Sequence, residues 1–231
     1  MKKTLIIAAL STALLSSNAF AEENTWTSPI TSEATSKPVV LMPEVSTLGV
    51  GATLSIPLNN KLSFGLGGNM FNYDTNSAYS GIDYDIDLEL QSFGLTMDYQ
   101  PFDSGLTLTG GVRINSNSGS FSATPVNDIT IGDQTYSAAD LASVNGSVSF
   151  EKYSPIVAVG YNKTYDSGFS IGGKLGVMFQ GSPSISMSAE GILADDPSFL
   201  SELEKERQSI ESELESFKYY PVASFGVSWA F

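Results

Sequence analysis

Phe169-Ser170-Ile171-Gly172-Gly173-Lys174-Leu175-Gly176-Val177-Met178-Phe179 decides the fold. Phe169, Ile171, Gly173, Leu175, Val177 and Phe179 alternate with Ser170, Gly172, Lys174 and Gly176. Successive strand residues point to opposite faces, so one face is apolar and the other is small and polar. The pattern returns along the chain. Leu62, Phe64, Leu66, Gly68 and Met70 oppose Ser63, Gly65, Gly67 and Asn69. Leu106, Leu108, Gly110, Val112 and Ile114 oppose Thr107, Thr109, Gly111 and Arg113. Tyr219, Pro221, Ala223, Phe225, Val227, Trp229 and Phe231 oppose Tyr220, Ser224, Gly226 and Ser228.

A soluble sandwich or lipocalin-like barrel would also alternate, but its outer face would carry Lys, Glu and Arg. Here the polar face carries Gly, Ser, Thr and Asn, with rare charges such as Asp98, Arg113 and Lys174. That suits a crowded barrel interior with the apolar face in lipid. Each run is near the roughly 9–11 residues that a tilted strand needs to cross the hydrocarbon. Tyr73, Tyr99, Tyr153, Tyr161, Tyr219 and Trp229 end the runs, as interfacial girdles would. Only a closed barrel leaves no unpaired backbone edge in lipid.

Seven strands are clear: 46–56, 62–73, 84–100, 106–116, 150–162, 169–180 and 219–231. Bacterial single-chain barrels use even numbers. An eighth is therefore expected at 37–43, with a tight turn near Glu44-Val45. Connections 58–61, 101–105 and 163–168 are short; 74–83, 117–149 and 181–218 are long. Short turns belong to the periplasm and long loops to the outside. The expectation is an all-β, closed antiparallel transmembrane barrel of eight strands, with both termini in the periplasm.

The first 21 residues read as an address. Lys2 and Lys3 precede an apolar run from Leu5 to Leu15, and Ala19-Phe20-Ala21 is a small-x-small cleavage site. The chain then divides into a signal peptide (1–21), an N-terminal segment (22–36) and the barrel (37–231). Cleavage would leave nine basic against 25 acidic residues. That balance argues against nucleic acid, which selects basic surfaces. It also argues against direct attraction to anionic headgroups without bridging cations. The chain has no cysteine, so stability must come from packing and backbone pairing.

The chain also has no histidine. The usual neutral-pH base and the strongest nucleophile are both missing. A carboxylate pair could act, but eight strands leave an interior just filled by side chains. We expect no enzyme, no cofactor and no metal site.

Three features stand outside the lipid pattern. Asp83, Asp85, Asp87 and Glu89 form an acidic ladder at period two, read as a solvated strand edge; the alternative is a cation-attracting rim or divalent-ion site. In the same strand the apolar phase shifts from Ile86, Leu88 and Leu90 to Phe93, Leu95, Met97 and Tyr99. Val148 and Phe150 precede a similar shift. Either a bulge swaps the faces, or the strands leave the membrane and turn Ile86, Leu88, Leu90, Val148 and Phe150 inward as an apolar collar. Third, Asp196 and Pro197 open an expected helix whose Phe199, Leu203, Ile210, Leu214 and Phe217 form one stripe. The stripe is expected to pack on the collar; the alternative is a lid over a ligand pocket. Arg113 and Lys174 are expected to face the lumen and pair with acids, Asp98 and Glu89 being the candidates.

Phe225-Gly226-Val227-Ser228-Trp229-Ala230-Phe231 resembles the assembly signal of outer-membrane barrels. The whole mature chain resembles small eight-stranded barrels of the outer membrane protein A and W type. The resemblance implies residence in the bacterial outer membrane, contact with its lipid and lipopolysaccharide, and assembly by the barrel assembly machinery through Phe231. Function is left between two classes. One is a non-enzymatic structural or surface-interaction protein with acidic extracellular loops. The other binds or passes small apolar or cationic molecules at the mouth, in a porin-like way.

Overall fold

The computed structural model describes residues 39–79 and 82–230. The signal peptide (1–21), the N-terminal segment (22–36) and Phe231 lie outside the described residues. In chain order the elements are β1 (Val40–Ser46), β2 (Gly49–Pro57), β3 (Leu62–Tyr79), β4 (Ile82–Tyr99) and β5 (Leu106–Asn115). Then come β6 (Ser118–Pro125), β7 (Ile129–Ile131), β8 (Gln134–Tyr136), β9 (Leu141–Ser149) and β10 (Tyr153–Thr164). The chain ends with β11 (Phe169–Phe179), β12 (Ser184–Gly191), helix α1 (Pro197–Leu214), a 3-10 turn (Glu215–Lys218) and β13 (Tyr219–Ala230).

Strands β1, β2, β3, β4, β5, β10, β11 and β13 close an antiparallel barrel of eight. Closure is made by β13 on β1, through Val40↔Ala230, Leu41↔Trp229 and Glu44↔Gly226. That register skips Pro43, which has no N–H to give the ladder. The first strand runs to Ser46, so the first turn is Thr47-Leu48 rather than Glu44-Val45. The turn is fixed by Ser46: its hydroxyl accepts from Leu48 N–H and donates to the Gly49 carbonyl. Gly49, at φ 103°, lies where a Cβ would strike the Met70 carbonyl.

The outward face is the apolar one. Phe93, Leu95, Met97 and Tyr99 on β4 are exposed, as are Val157 and Val159 on β10; Leu175 on β11 is 69% exposed. A belt of this kind is stable only against lipid. Aromatic residues mark its two borders. Tyr99, Tyr161 and Trp229 stand at the tight-turn end; Tyr153, Phe179 and Tyr219 stand at the other, the last two edge to face at 5.8 Å. Tyr73 departs from the expected girdle. It shares the inward phase of Asn69 on β3 and lies beyond the belt.

Five of the eight strands continue past the belt. The stretch expected as a loop at 74–83 is strand: β3 and β4 pair without interruption from Leu62↔Tyr99 to Tyr79↔Ile82. Strand β6 continues β5 along the same edge of β4, which pairs with β5 up to Ser92↔Asn115 and with β6 from Glu89↔Ser118. Strand β9 continues β10 in the same way, and β12 continues β11. The strand expected at 150–162 is therefore broken at Phe150-Glu151-Lys152, where the chain steps from one sheet to the other. The projecting sheet runs β3-β4-β6-β9-β12. Strands β13, β1 and β2 stop at the rim, so among the described strands this sheet is open on one side.

Candidate functional site: the lumen, the mouth and its cap

The face switch on β4 involves no bulge. Even-numbered residues from Ile82 to Asp98 stay on the better-buried side, and odd-numbered residues from Asp83 to Tyr99 stay exposed. What changes is the solvent. Next to lipid the outward residues are Phe93 to Tyr99; next to water they are Asp83, Asp85, Asp87 and Glu89. Inward polarity reverses accordingly, from Ser92, Gly94, Thr96 and Asp98 to Leu90, Leu88, Ile86 and Tyr84. Across the break at 150–152 the even residues Val148, Ser154 and Ile156 likewise keep to the buried side.

Inside the belt, Lys174 Nζ lies 3.0 and 3.1 Å from the two carboxylate oxygens of Asp98. Thr109 donates its hydroxyl to the same carboxylate. Arg113 is buried, but its partners are not acids. Its Nε donates to Ser92 Oγ at 3.1 Å, and its Nη2 to Asn69 Oδ1 at 2.5 Å and the Ser92 carbonyl at 3.3 Å. Asn69 passes the interaction on, donating to Glu44 Oε1 at 3.0 Å. Glu89 is not luminal: it stands exposed on the outward face of β4, because odd positions of that strand point away from the barrel.

Each luminal cation lies across a glycine in direct register. Gly94 pairs with Arg113, and a Cβ there would sit 2.8 Å from Arg113 Cγ. Gly160 pairs with Lys174, where the corresponding distance is 2.9 Å. The long side chains lie flat because the glycines leave them room. A cavity lined by Glu44, Leu48, Thr96, Arg113, Lys174 and Val222, among others, offers ≈ 40 Å³ to water centres. At about 10–15 Å³ per site, that is room for roughly three waters.

At the mouth, Gln180 is buried. Its Nε2 donates to the Phe217 carbonyl at 3.0 Å, and Asn115 and Asn117 both donate to its Oε1 at 3.4 Å. The Asn117 side chain also accepts from the Gln91 N–H at 3.0 Å, satisfying the backbone where β4 changes partner from β5 to β6. Tyr220 donates to the Thr47 carbonyl at 2.5 Å. Two hydrogen-bonded groups, Gln180 with Asn115 and Asn117, and Asn69 with Glu44, were not legible from the sequence. Their common signal is an amide or acid on the inward phase near the end of a run.

Helix α1 starts where Asp196 accepts from the N–H groups of Ser198 at 2.8 Å and Phe199 at 3.0 Å. Pro197 takes the first position, where its missing N–H costs nothing. Phe199 and Leu203 are buried with Ile131, Leu141 and Val144. Leu214 is buried with Val148 and Ile185, with Phe150, Ile210 and Phe217 packed around them. The stripe thus sits on β7, β9 and β12. Of the collar, it meets Val148 and Phe150; Ile86, Leu88 and Leu90 lie on β4, on the far side of β6. Polar contacts hold the helix to the β7–β8 turn. Glu202 accepts from the Asp133 N–H at 2.8 Å, and Lys205 reaches both Glu202 and Asp133. The hydrogen bond from Lys205 holds Glu202 below the usual carboxylate range. Further along, Arg207 holds Glu204 at about 2.

A closed barrel of eight strands with a lipid belt, two aromatic borders and a filled lumen defines a small barrel of the outer-membrane class. Among solved structures the chain is similar to CarO2 of Acinetobacter baumannii, at 19% identity over 84% of this chain and 99% of that one, with a TM-score of 0.59. It is similar to CarO of the same organism at 20% identity over 84% and 98%, with a TM-score of 0.57. At these identities the likeness is one of fold. No family model matches the chain, and no curated protein matches it.

Proposed function

We propose that this chain is an exported barrel of the bacterial outer membrane that works through its projecting sheet and helix rather than through its lumen. The reading is a non-enzymatic structural or surface-interaction role, with the acidic strand edge and helix facing the medium. The observation that carries it is the contrast between the two halves. The lumen holds a buried ion pair, a buried guanidinium and space for a few waters. Beyond the rim, five strands and an 18-residue helix build an ordered surface that lipid packing does not require. Its neighbours would be outer-membrane lipid and lipopolysaccharide, and the barrel assembly machinery during biogenesis.

Porin-like passage draws no support from a cavity of this size. The test is solute flux from liposomes carrying the refolded chain, with and without residues 197–214. The reading expects sugar and amino-acid flux at the level of empty liposomes for both forms. Flux through the intact chain would replace it with a channel. Flux only after the deletion would make the helix a gate.

A further inference from the structure

The projecting sheet has a vacancy with the shape of a strand. On one side of β3, β2 pairs only as far as Val50↔Met70. Beyond that point β3 runs on from Phe71 to Tyr79, paired to β4 alone among the described strands. Where β5 stops, β6 continues it; where β2 stops, no described strand continues it. From Phe71 to Ala78 every residue except Thr75 is exposed, and none of the other described strands lies along this edge. Alternate residues of an edge strand present free N–H and C=O groups, which template another strand. The vacancy is about nine residues, roughly 30 Å, long.

Its two faces specify an occupant. On the inner face, Phe71 and Tyr73 stand 37% and 47% exposed, rings stacked at 6.5 Å. An added strand would set apolar side chains against them as cross-strand neighbours. On the outer face, Asp74 lies opposite Asp87, and Asn76 donates to Asp85 at 3.2 Å. Asp83 and Glu89 extend the same face. Like charges opposite one another oppose the sheet unless a cation joins them. A second copy would bring Asp74 against this acid, so self-pairing is disfavoured. The other free edge, β12, differs: its inner face is already covered by α1.

We propose that the β3 edge from Phe71 to Tyr79 binds an extended basic peptide segment by strand addition, apolar side chains inward and Lys or Arg outward. The inference rests on the reading of the projecting sheet as an interaction surface and names its partner by chemistry.

The test uses the refolded full chain in neutral detergent and a labelled peptide of alternating Lys and Val, followed by fluorescence anisotropy. Two control peptides carry the same residues in block order, or the alternating order with every second backbone N–H methylated. Saturable binding of the alternating peptide is expected. Each control should bind about tenfold or more weakly, because several backbone hydrogen bonds are lost. The pair Asp74→Lys and Asp87→Lys should also abolish binding, while Glu213→Lys on the helix leaves it unchanged. No binding, or equal binding of the methylated peptide, overturns strand addition. Binding that survives Asp74→Lys/Asp87→Lys overturns the assigned edge. Retained heat-dependent gel mobility shows that each variant is folded. If a membrane-impermeant label on whole cells fails to reach the sheet, the surface reading itself falls, whatever the peptide does.

Discussion

Replacing Lys174 by Met should destabilise the barrel more than any single charge removed from its surface. The Lys174 ammonium lies within 3.1 Å of both Asp98 oxygens, and the two side chains are 17% and 9% exposed. Met keeps most of the volume over Gly160, so packing changes little. What remains is a carboxylate with Thr109 as its only hydrogen-bond donor among the described side chains, inside a ring of lipid. Breaking a buried pair by removing one partner costs about 3–5 kcal/mol. The neighbouring cavity has room for a few waters, which argues for the low end, about 3 kcal/mol. With urea slopes of about 1–3 kcal/mol/M, the unfolding midpoint should fall by roughly 1–3 M. The assay is urea titration in lipid vesicles, read by tryptophan fluorescence and by gel mobility without boiling. Lys205→Met is the comparator: it removes two ion pairs at the surface, to Asp133 and Glu202, of the kind that contribute little. Asp98→Asn combined with Lys174→Met removes both charges and should recover most of the loss. If Lys174→Met shifts the midpoint no further than Lys205→Met, the pair is solvated and the lumen is wetter than described. If the double variant is as unstable as the single, packing rather than charge is responsible.

Arg113→Leu should also lower the midpoint by more than Lys205→Leu, although no carboxylate touches it. The loss leaves Asn69 and Ser92 without their buried donor, at about 1–3 kcal/mol for such groups; equal effects of the two substitutions would contradict this. A nitroxide at Leu214 should be immobile and shielded from aqueous quenchers, and one at Glu213 accessible. Equal accessibility would mean that α1 does not stay seated on Val148 and Ile185.

The barrel strands were legible because lipid and lumen demand opposite side chains at every second residue. Leu175 and Lys174 are neighbours in sequence and face different solvents. The helix was legible because Asp196-Pro197 marks its start and because its stripe has a period of its own. The projecting strands were not. Ser118, Ser120 and Ser122, and Ser184, Ser186 and Ser188, alternate with Gly119, Phe121 and Ala123, and with Ile185 and Met187, so each strand carries at most one aromatic residue. With water outside and a helix or open space inside, neither face needs the large aromatics that made the belt conspicuous. Glu89 is misplaced although the shift of phase in its strand is legible: with Ile86, Leu88 and Leu90 turned inward, the odd-numbered Glu89 faces the medium and not the lumen. The luminal amides were hidden because a lone Asn or Gln on an inward phase reads as filler until its partners on other strands are known.

One uninterrupted strand, β4, passes from lipid to water and exchanges its polar face without a bulge. The direct measurement is a nitroxide scan along β4, residues 82–99, in vesicles, comparing collision with oxygen in lipid and with a water-soluble nickel complex. The chain has no cysteine of its own, so each label site is unambiguous. Oxygen maxima are expected at Phe93, Leu95, Met97 and Tyr99, nickel maxima at Asp83, Asp85, Asp87 and Glu89, and shielding at the even positions between them. Nickel access at Phe93 to Tyr99, or a phase that slips by one residue near Gln91, would contradict this.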